Sequence, residues 1–200
     1  MHVRAAAIGL LLFVCAGCSY GALGELDGGS AEDPSAQQPV ANCDQRAAKP
    51  ARGVVLVYLA KTDFGRRAPA DRRNFVAVAR PLSDADAIRP LGAALRELLE
   101  GPTSRERHLG CVSTFDNQEH LLRRVEMVDG EAVVDFDRRS FLDELGIVSA
   151  SHAGAVFARQ LELTAFQFPQ VRSLRYELDG DCKAFGDFAQ GGDCVVIRRR

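Results

Sequence analysis

The sequence predicts an α/β (α+β) fold, with a mixed, largely antiparallel sheet covered on one face by helices. Three observations carry that expectation. Runs of β-branched residues recur between positions 54 and 197, leucine-striped helical segments alternate with them, and Asp129-Gly130 separates two apolar runs. The 200 residues are 46% apolar and 26% charged, an ordinary globular composition. A formal charge of −2 lacks the clustered basic excess that nucleic acid requires, so no nucleic-acid partner is expected. No run of eighteen apolar residues is present to span a bilayer.

Val54 to Leu59 is an unbroken apolar, β-branched run, as in a strand buried on both faces. Phe75 to Ala79 supplies a second strand, closed by Arg80-Pro81. The loop between them carries Lys61, Arg66, Arg67, Arg72 and Arg73 against Asp63 and Asp71. It reads as a solvated loop, or as a docking patch for an acidic partner or lipid headgroup; no aromatic ladder suits it to base stacking. Pro90 is tolerable only in a helix's first turn. From there Leu91, Leu95, Leu98 and Leu99 recur at i, i+4, i+7 and i+8 until Gly101-Pro102 ends the helix.

Leu121 to Met127 and Ala132 to Phe136 flank Asp129-Gly130, the signature of a two-residue type I′ hairpin turn. Pairing Val128 with Glu131 places Val125, Met127, Ala132, Val134 and Phe136 on one side. Arg124, Glu126, Glu131 and Asp135 fall on the other, with Arg124 opposite Asp135. Arg138 to Leu145 reads as a short helix capped by Asp137. A longer helix starts after Ser149 or Ser151, carries Ala153, Val156, Phe157, Leu161 and Thr164 on one stripe, and ends before Pro169. Val171 to Leu178 alternates as a strand, and Val195 to Ile197 supplies the last one. The expected order is therefore ββαββααββ, without internal repeat.

Residues 1–17 read as an export signal, with Arg4 ahead of about a dozen mostly apolar residues. The following Ala16-Gly17-Cys18 resembles the lipobox of bacterial lipoproteins, in which the signal is cut before the Cys and its sulfur carries a diacylglycerol. The lipidation site carried over is Cys18; Cys15 stands where that motif usually has Leu or Val. Residues 18–51 are rich in Gly, Ser, Ala, Pro, Gln and Asp, and read as a lipid-anchored flexible stalk. About thirty such residues reach roughly 30 Å. Residues 52–200 are then the folded domain. Setting aside Cys15 and Cys18 leaves Cys43, Cys111, Cys182 and Cys194, an even number in an exported chain. Two disulfides in one of three connectivities are implied. The favoured pairs are Cys182–Cys194, across a Gly-rich turn in a stapled C-terminal hairpin, and Cys43–Cys111, tying the stalk to the body. No CxxC spacing or adjacent His suggests a metal.

Residues able to do chemistry have simpler readings. Asp135 and Asp137 form a DxD pair that hairpin register and helix capping account for. Asp179-Gly180-Asp181 reads as a turn, with calcium as the alternative. Ser149, Ser151 and His152 lack a nucleophile elbow, and the serines suit a helix N-cap. His108 and His120 lie in polar stretches. No catalytic residue, cofactor or metal is expected.

Several phrases in order resemble the GerMN domain. Leu98-Leu99 with Gly101-Pro102-Thr103, the strand–Asp-Gly–strand ending in Val134-Asp135, and Thr164 with Gln167-Phe168-Pro169 match its pattern across residues 52–180. Thr114-Phe115 departs from the expected Ile-Pro, and the tail after Asp181 is an elaboration. The resemblance implies a non-catalytic α/β domain of bacterial envelope lipoproteins, similar in fold to ring-building modules, present here as one copy where the founding members carry two. The functional expectation is a protein-interaction module. It would sit on the extracytoplasmic face of the cell membrane, held by its N-terminal lipid, with an envelope protein as partner. The candidate contacts are an exposed strand edge or the basic loop. The alternatives are an extracellular metal-dependent hydrolase using Asp135, Asp137 or His152, and a carrier of a small apolar ligand between helix and sheet.

Overall fold

A computed structural model describes Cys43 and residues 53–63, 67–145 and 152–199. The apolar run VVLVYLAK forms β1 (Val54–Lys61), and its antiparallel partner is β2 (Phe75–Pro81), with Val57 opposite Val78. The leucine stripe forms α1 (Pro90–Glu100), with Pro90 in its first turn and Leu95, Leu98 and Leu99 fully buried. Two short elements not expected from the sequence follow, α2 (Ser104–His108) and β3 (Cys111–Val112). Thr103 and Glu106 close α2 with a reciprocal capping box, which stabilises a helix too short to stand on propensity alone.

The hairpin is β4 (Leu122–Val128) and β5 (Glu131–Phe136), in the register read from sequence from Val128 to Arg124, with Arg124 opposite Asp135; an irregularity at Arg123 then brings Leu122 opposite Phe136. Asp129 and Gly130 both have positive φ, 48° and 83°, as a type I′ turn requires. After β5 come α3 (Arg138–Leu145), α4 (His152–Ala165) and β6 (Ser173–Leu178), which pairs parallel to β5. α5 (Cys182–Phe188) and β7 (Val196–Arg198) complete the chain.

The strands divide between two sheets. One is antiparallel, ordered β2-β1-β3; the other is mixed, ordered β4-β5-β6-β7. What separates them is the second edge of β1. β3 pairs with it only at Ala60 and Lys61, so the outward groups of Leu56 and Tyr58 need other partners. α4 and the turn after it supply them. Gln160, Thr164 and Gln167 recur at i, i+4 and i+7, one face of a helix. Gln167 Oε1 accepts from the Leu56 N–H at 2.8 Å and its Nε2 donates back to the Leu56 carbonyl. Thr164 Oγ1 accepts from the Tyr58 N–H at 3.2 Å, and Gln160 Nε2 donates to the Tyr58 carbonyl at 3.0 Å. Gln160 Oε1 accepts from both the N–H and the hydroxyl of Thr114. Gln160 and Thr164 are fully buried. Thr164, which the sequence places on one stripe with Phe157 and Leu161, acts here with Gln160 on the Tyr58 backbone.

A contiguous core joins both sheets and includes a phenylalanine cluster, with Phe136–Phe141 centroids 5.0 Å apart and Phe115–Phe157 at 5.1 Å. Cys43, assigned to the stalk by sequence, is buried in this core and disulfide-bonded to Cys111. Cross-linking a loop of this length contributes about 4 kcal/mol in the chain-entropy picture. Cys182 and Cys194 form the second disulfide. The C-terminal hairpin expected around it is different: β6 and β7 do pair antiparallel, but α5 is inserted between them and Cys182 is its first residue. Asp181 caps that helix through the N–H groups of Lys183 and Ala184. Gly186 is where the helix meets the following loop, and any Cβ there would overlap the backbone of Asp193.

Arg80 at the end of β2 is buried and bidentate to Glu106, at 2.6 and 2.8 Å, and also reaches Glu97 at 3.3 Å. Burial alone would raise the Glu106 carboxyl; the Arg80 hydrogen bonds and the Thr103 N–H outweigh it and hold the group below its ordinary pKa. Glu97 moves the opposite way, raised by burial and by Glu100.

Two outcomes are expected. Gln167→Leu strands the N–H and carbonyl of Leu56, and denaturant unfolding should read a loss of about 3 kcal/mol. Because the folded Glu106 is depressed, its contribution is complete above the unfolded glutamate pKa and is lost as pH falls through the folded value. The stability difference between the unaltered chain and Glu106→Gln should therefore shrink as pH drops below about 4.5, and a pH-independent difference would refute the pairing.

Candidate functional site

The four-stranded sheet has helices on one face and a lattice of charge on the other. Alternation puts Arg124 and Glu126 of β4, Glu131, Val133 and Asp135 of β5, and Arg175 and Glu177 of β6 on that outer face. Arg124 reaches Glu126 at 3.1 Å, Glu177 at 3.5 Å and Asp135 at 3.9 Å. Arg175 spans Glu131 at 3.1 Å and Glu177 at 3.4 Å. Asp135 and Glu177 are buried beneath these long side chains, as is Val133. The central strand β5 is thereby shielded on both faces, although helices cover only one.

β4 is an edge strand. Its free side follows from the ladder: in a two-residue hairpin Val128 and Glu131 form the hydrogen-bonded pair, so Glu126 and Arg124 also bond to β5. Val125 and Met127 then direct their N–H and C=O groups away from the sheet. Their side chains lie on the helix side, against a groove of about 600 Å³ formed by β4 and the segment leading into α1. That groove carries apolar and basic groups together. Ile88 is 81% exposed and Met127 42%. Arg89, Arg96, Arg123 and Arg124 line it, with Glu126 as its acidic group. Arg96 pairs with Asp86 at 3.6 Å, Arg123 with Asp179 at 2.8 Å, and Arg89 has no ion pair among the described residues.

The basic loop between β1 and β2 is more fully engaged than its composition suggests. Arg73 is bidentate to Asp71, and hydrogen bonds from the Arg73 side chain and backbone hold the Asp71 carboxyl far below the ordinary range. Arg72 lies over the Tyr58 ring at 4.7 Å. Lys61, Asp63 and Arg67 also have partners, and Arg66 lies outside the described residues.

The chemically suggestive residues occupy structural posts. Asp135 accepts from the Gly180 N–H at 2.8 Å and lies 3.6 Å from Arg123. Asp137 accepts from the Ser140 N–H at the start of α3, a bond that lowers its pKa. Asp179 and Gly180 turn with positive φ into Asp181. His108 Nδ1 contacts the Ser104 carbonyl, and His120 meets Glu144 at 2.7 Å, which raises the imidazole pKa. His152 begins α4, while Ser149, Ser151 and the lipidation site Cys18 lie outside the described residues. No group of three metal-ligating side chains occurs among the described residues, and none of their helices is long and apolar enough to cross a membrane. Sequence reading missed Gln160, Arg80 and the groove beside β4; for the groove, the available signal was Ile88, a lone large apolar residue between a polar stretch and Arg89-Pro90.

Residues 56–182 match the Germane family, described as sporulation and spore germination. No curated protein matches the chain. Among solved structures, the tandem GerMN domains of the sporulation protein GerM from Bacillus subtilis are similar at 18% identity with a TM-score of 0.47. The likeness covers 68% of this chain and 42% of that one, so the chain spans less than half the length of that tandem structure.

Proposed function

The chain belongs to the Germane family, and from that premise we propose that its domain is a non-catalytic docking module that adds an extended segment of another envelope protein to the free edge of β4. The observation that carries this reading is the juxtaposition at that edge. Main-chain donors and acceptors of Val125 and Met127 face outward beside a groove holding Ile88, Met127, Arg89 and Arg96. Edge addition uses main-chain bonds for affinity and alternate side chains for choice of partner. Apolar surface beside uncompensated guanidinium selects a strand that alternates apolar and acidic residues. A long edge with exposed apolar groups is otherwise an aggregation hazard, and a resident partner would remove it.

The same proposal places the domain on the extracytoplasmic face of the cell membrane, held by acyl chains on Cys18 and a stalk ahead of Cys43. Two disulfides support export, because they persist in oxidising compartments. Several acyl chains, each methylene adding about 0.8 kcal/mol, would make the attachment stable.

Cys18→Ser is expected to abolish acyl labelling and move the protein from the membrane to the soluble fraction; unchanged membrane retention refutes the anchor. For the edge, a photo-crosslinkable residue at position 88 in the native host is expected to capture an envelope protein. Met127→Pro removes an outward donor while leaving the β4–β5 ladder intact, and Arg89→Glu reverses the groove charge. Each should reduce that adduct at least about fivefold in protein of unaltered fold. An adduct indifferent to both changes sinks the docking reading.

A further inference from the structure

At the other edge of the four-stranded sheet, α4, α5, β6 and β7 line a partly open apolar pocket of about 190 Å³. Its walls are Phe157 and Ala158 of α4, Tyr176 of β6, Phe185 and Phe188 of α5, and Ile197 of β7. A dry apolar cavity of about 150 Å³ accepts benzene, so this one has room for about six to ten carbon atoms. Ala158 and Ile197 are also walls of an adjoining cleft of about 630 Å³ with a different chemistry. Three arginines line the cleft, Arg159, Arg198 and Arg199, against one acid, Glu162.

The charges there are unequally engaged. Glu162 pairs with Arg159 Nη1 at 2.6 Å. Arg199 donates to the carbonyls of Val171 and Phe168 and lies 5.3 Å above the Phe166 ring. Arg198 is exposed and has no ion pair among the described residues. Two buried polar atoms in the walls also lack hydrogen-bond partners, the Tyr176 hydroxyl and Arg159 Nε, a costly arrangement in a folded protein. Burial, then Glu162, pushes the Tyr176 phenol up, which keeps it a neutral donor.

The roof is fastened independently of the sheet. The Cys182–Cys194 disulfide, the Gly191 N–H to the Gly186 carbonyl at 2.9 Å, and Lys183 Nζ to the Gly192 carbonyl at 2.8 Å close the loop after α5 onto that helix. A pre-formed pocket loses little order on binding.

We propose that this site binds one acyl chain with an anionic head, the chain in the apolar cavity and the head against Arg159 and Arg198. A free carboxylate and a lysophospholipid share that chemistry. The test uses the full chain carrying Cys18→Ser, so that no anchor lipid competes, titrated calorimetrically with decanoate, decan-1-ol and decanoyl lysophosphatidylglycerol. One-to-one binding of decanoate is expected with a Kd of about 10–100 µM. The stronger of decanoate and the lysolipid identifies the source of the chain. Ala158→Leu, which fills the cavity, should weaken both about tenfold or more. Arg198→Ala should weaken decanoate about fivefold and leave decan-1-ol unchanged. NMR on the chain without either pocket change should give contacts between the decanoate methyl and the Tyr176 and Phe185 rings. Absence of saturable binding to about 1 mM, absence of those contacts, or unchanged affinity in folded Ala158→Leu would overturn the site.

Discussion

Everything in this domain is arranged around the second edge of β1. A strand buried on both faces has to satisfy its main chain on both edges as well, and β3 covers only its last residues. The remaining groups are met by Gln160, Thr164 and Gln167, which act as a substitute strand built from side chains. Once a helix occupies that edge, the sheet cannot continue there. Its other strands must start a second sheet, and α4 becomes the joint between the two. Of the phrase Thr164 and Gln167-Phe168-Pro169, it is Thr164 and Gln167 that complete a hydrogen-bond ladder on β1.

What was legible in the sequence was what local rules fix. The Asp129-Gly130 turn sets its own register, α1 is bracketed by Pro90 and Gly101, and Asp137 marks the start of α3. α2 was hidden because a five-residue helix has no periodicity to read; only its capping box announces it. α5 is hidden because Gly186 and the neighbouring glycines look like loop, whereas Gly186 permits a close approach to the backbone of Asp193. Gln160 carries no signal of its own in the sequence. Its role depends on Tyr58 and Thr114, some 102 and 46 positions away, and no single-segment pattern contains such a fact. The groove beside β4 is likewise tertiary, since it exists only where α1 is packed against the hairpin.

The charged face gives the acidic residues of the sheet a structural post. Asp135 and Glu177 are bridged by arginines and by a main-chain donor, so they stiffen the sheet. Burying carboxylates beneath arginine stems also keeps β5 dry without a second helical layer. The four-stranded order then gives the molecule two distinct ends. β4 offers an unpaired edge beside basic and apolar groups, while β7 borders an apolar pocket; three strand spacings, roughly 14 Å, lie between them. A partner at one end and a small molecule at the other would not compete for the same surface.

The Cys43–Cys111 bond has a mechanical meaning as well. Any pull on the chain ahead of Cys43 is delivered through sulfur to Cys111, whose strand is hydrogen-bonded to Lys61 at the end of β1. The 68-residue separation between the two cysteines is thereby short-circuited, so the covalent path through β1, β2 and α1 is bypassed. Tension that would otherwise peel β1 from its neighbours one bond at a time instead meets the core at a single covalent point, and only a reductant gives that protection away.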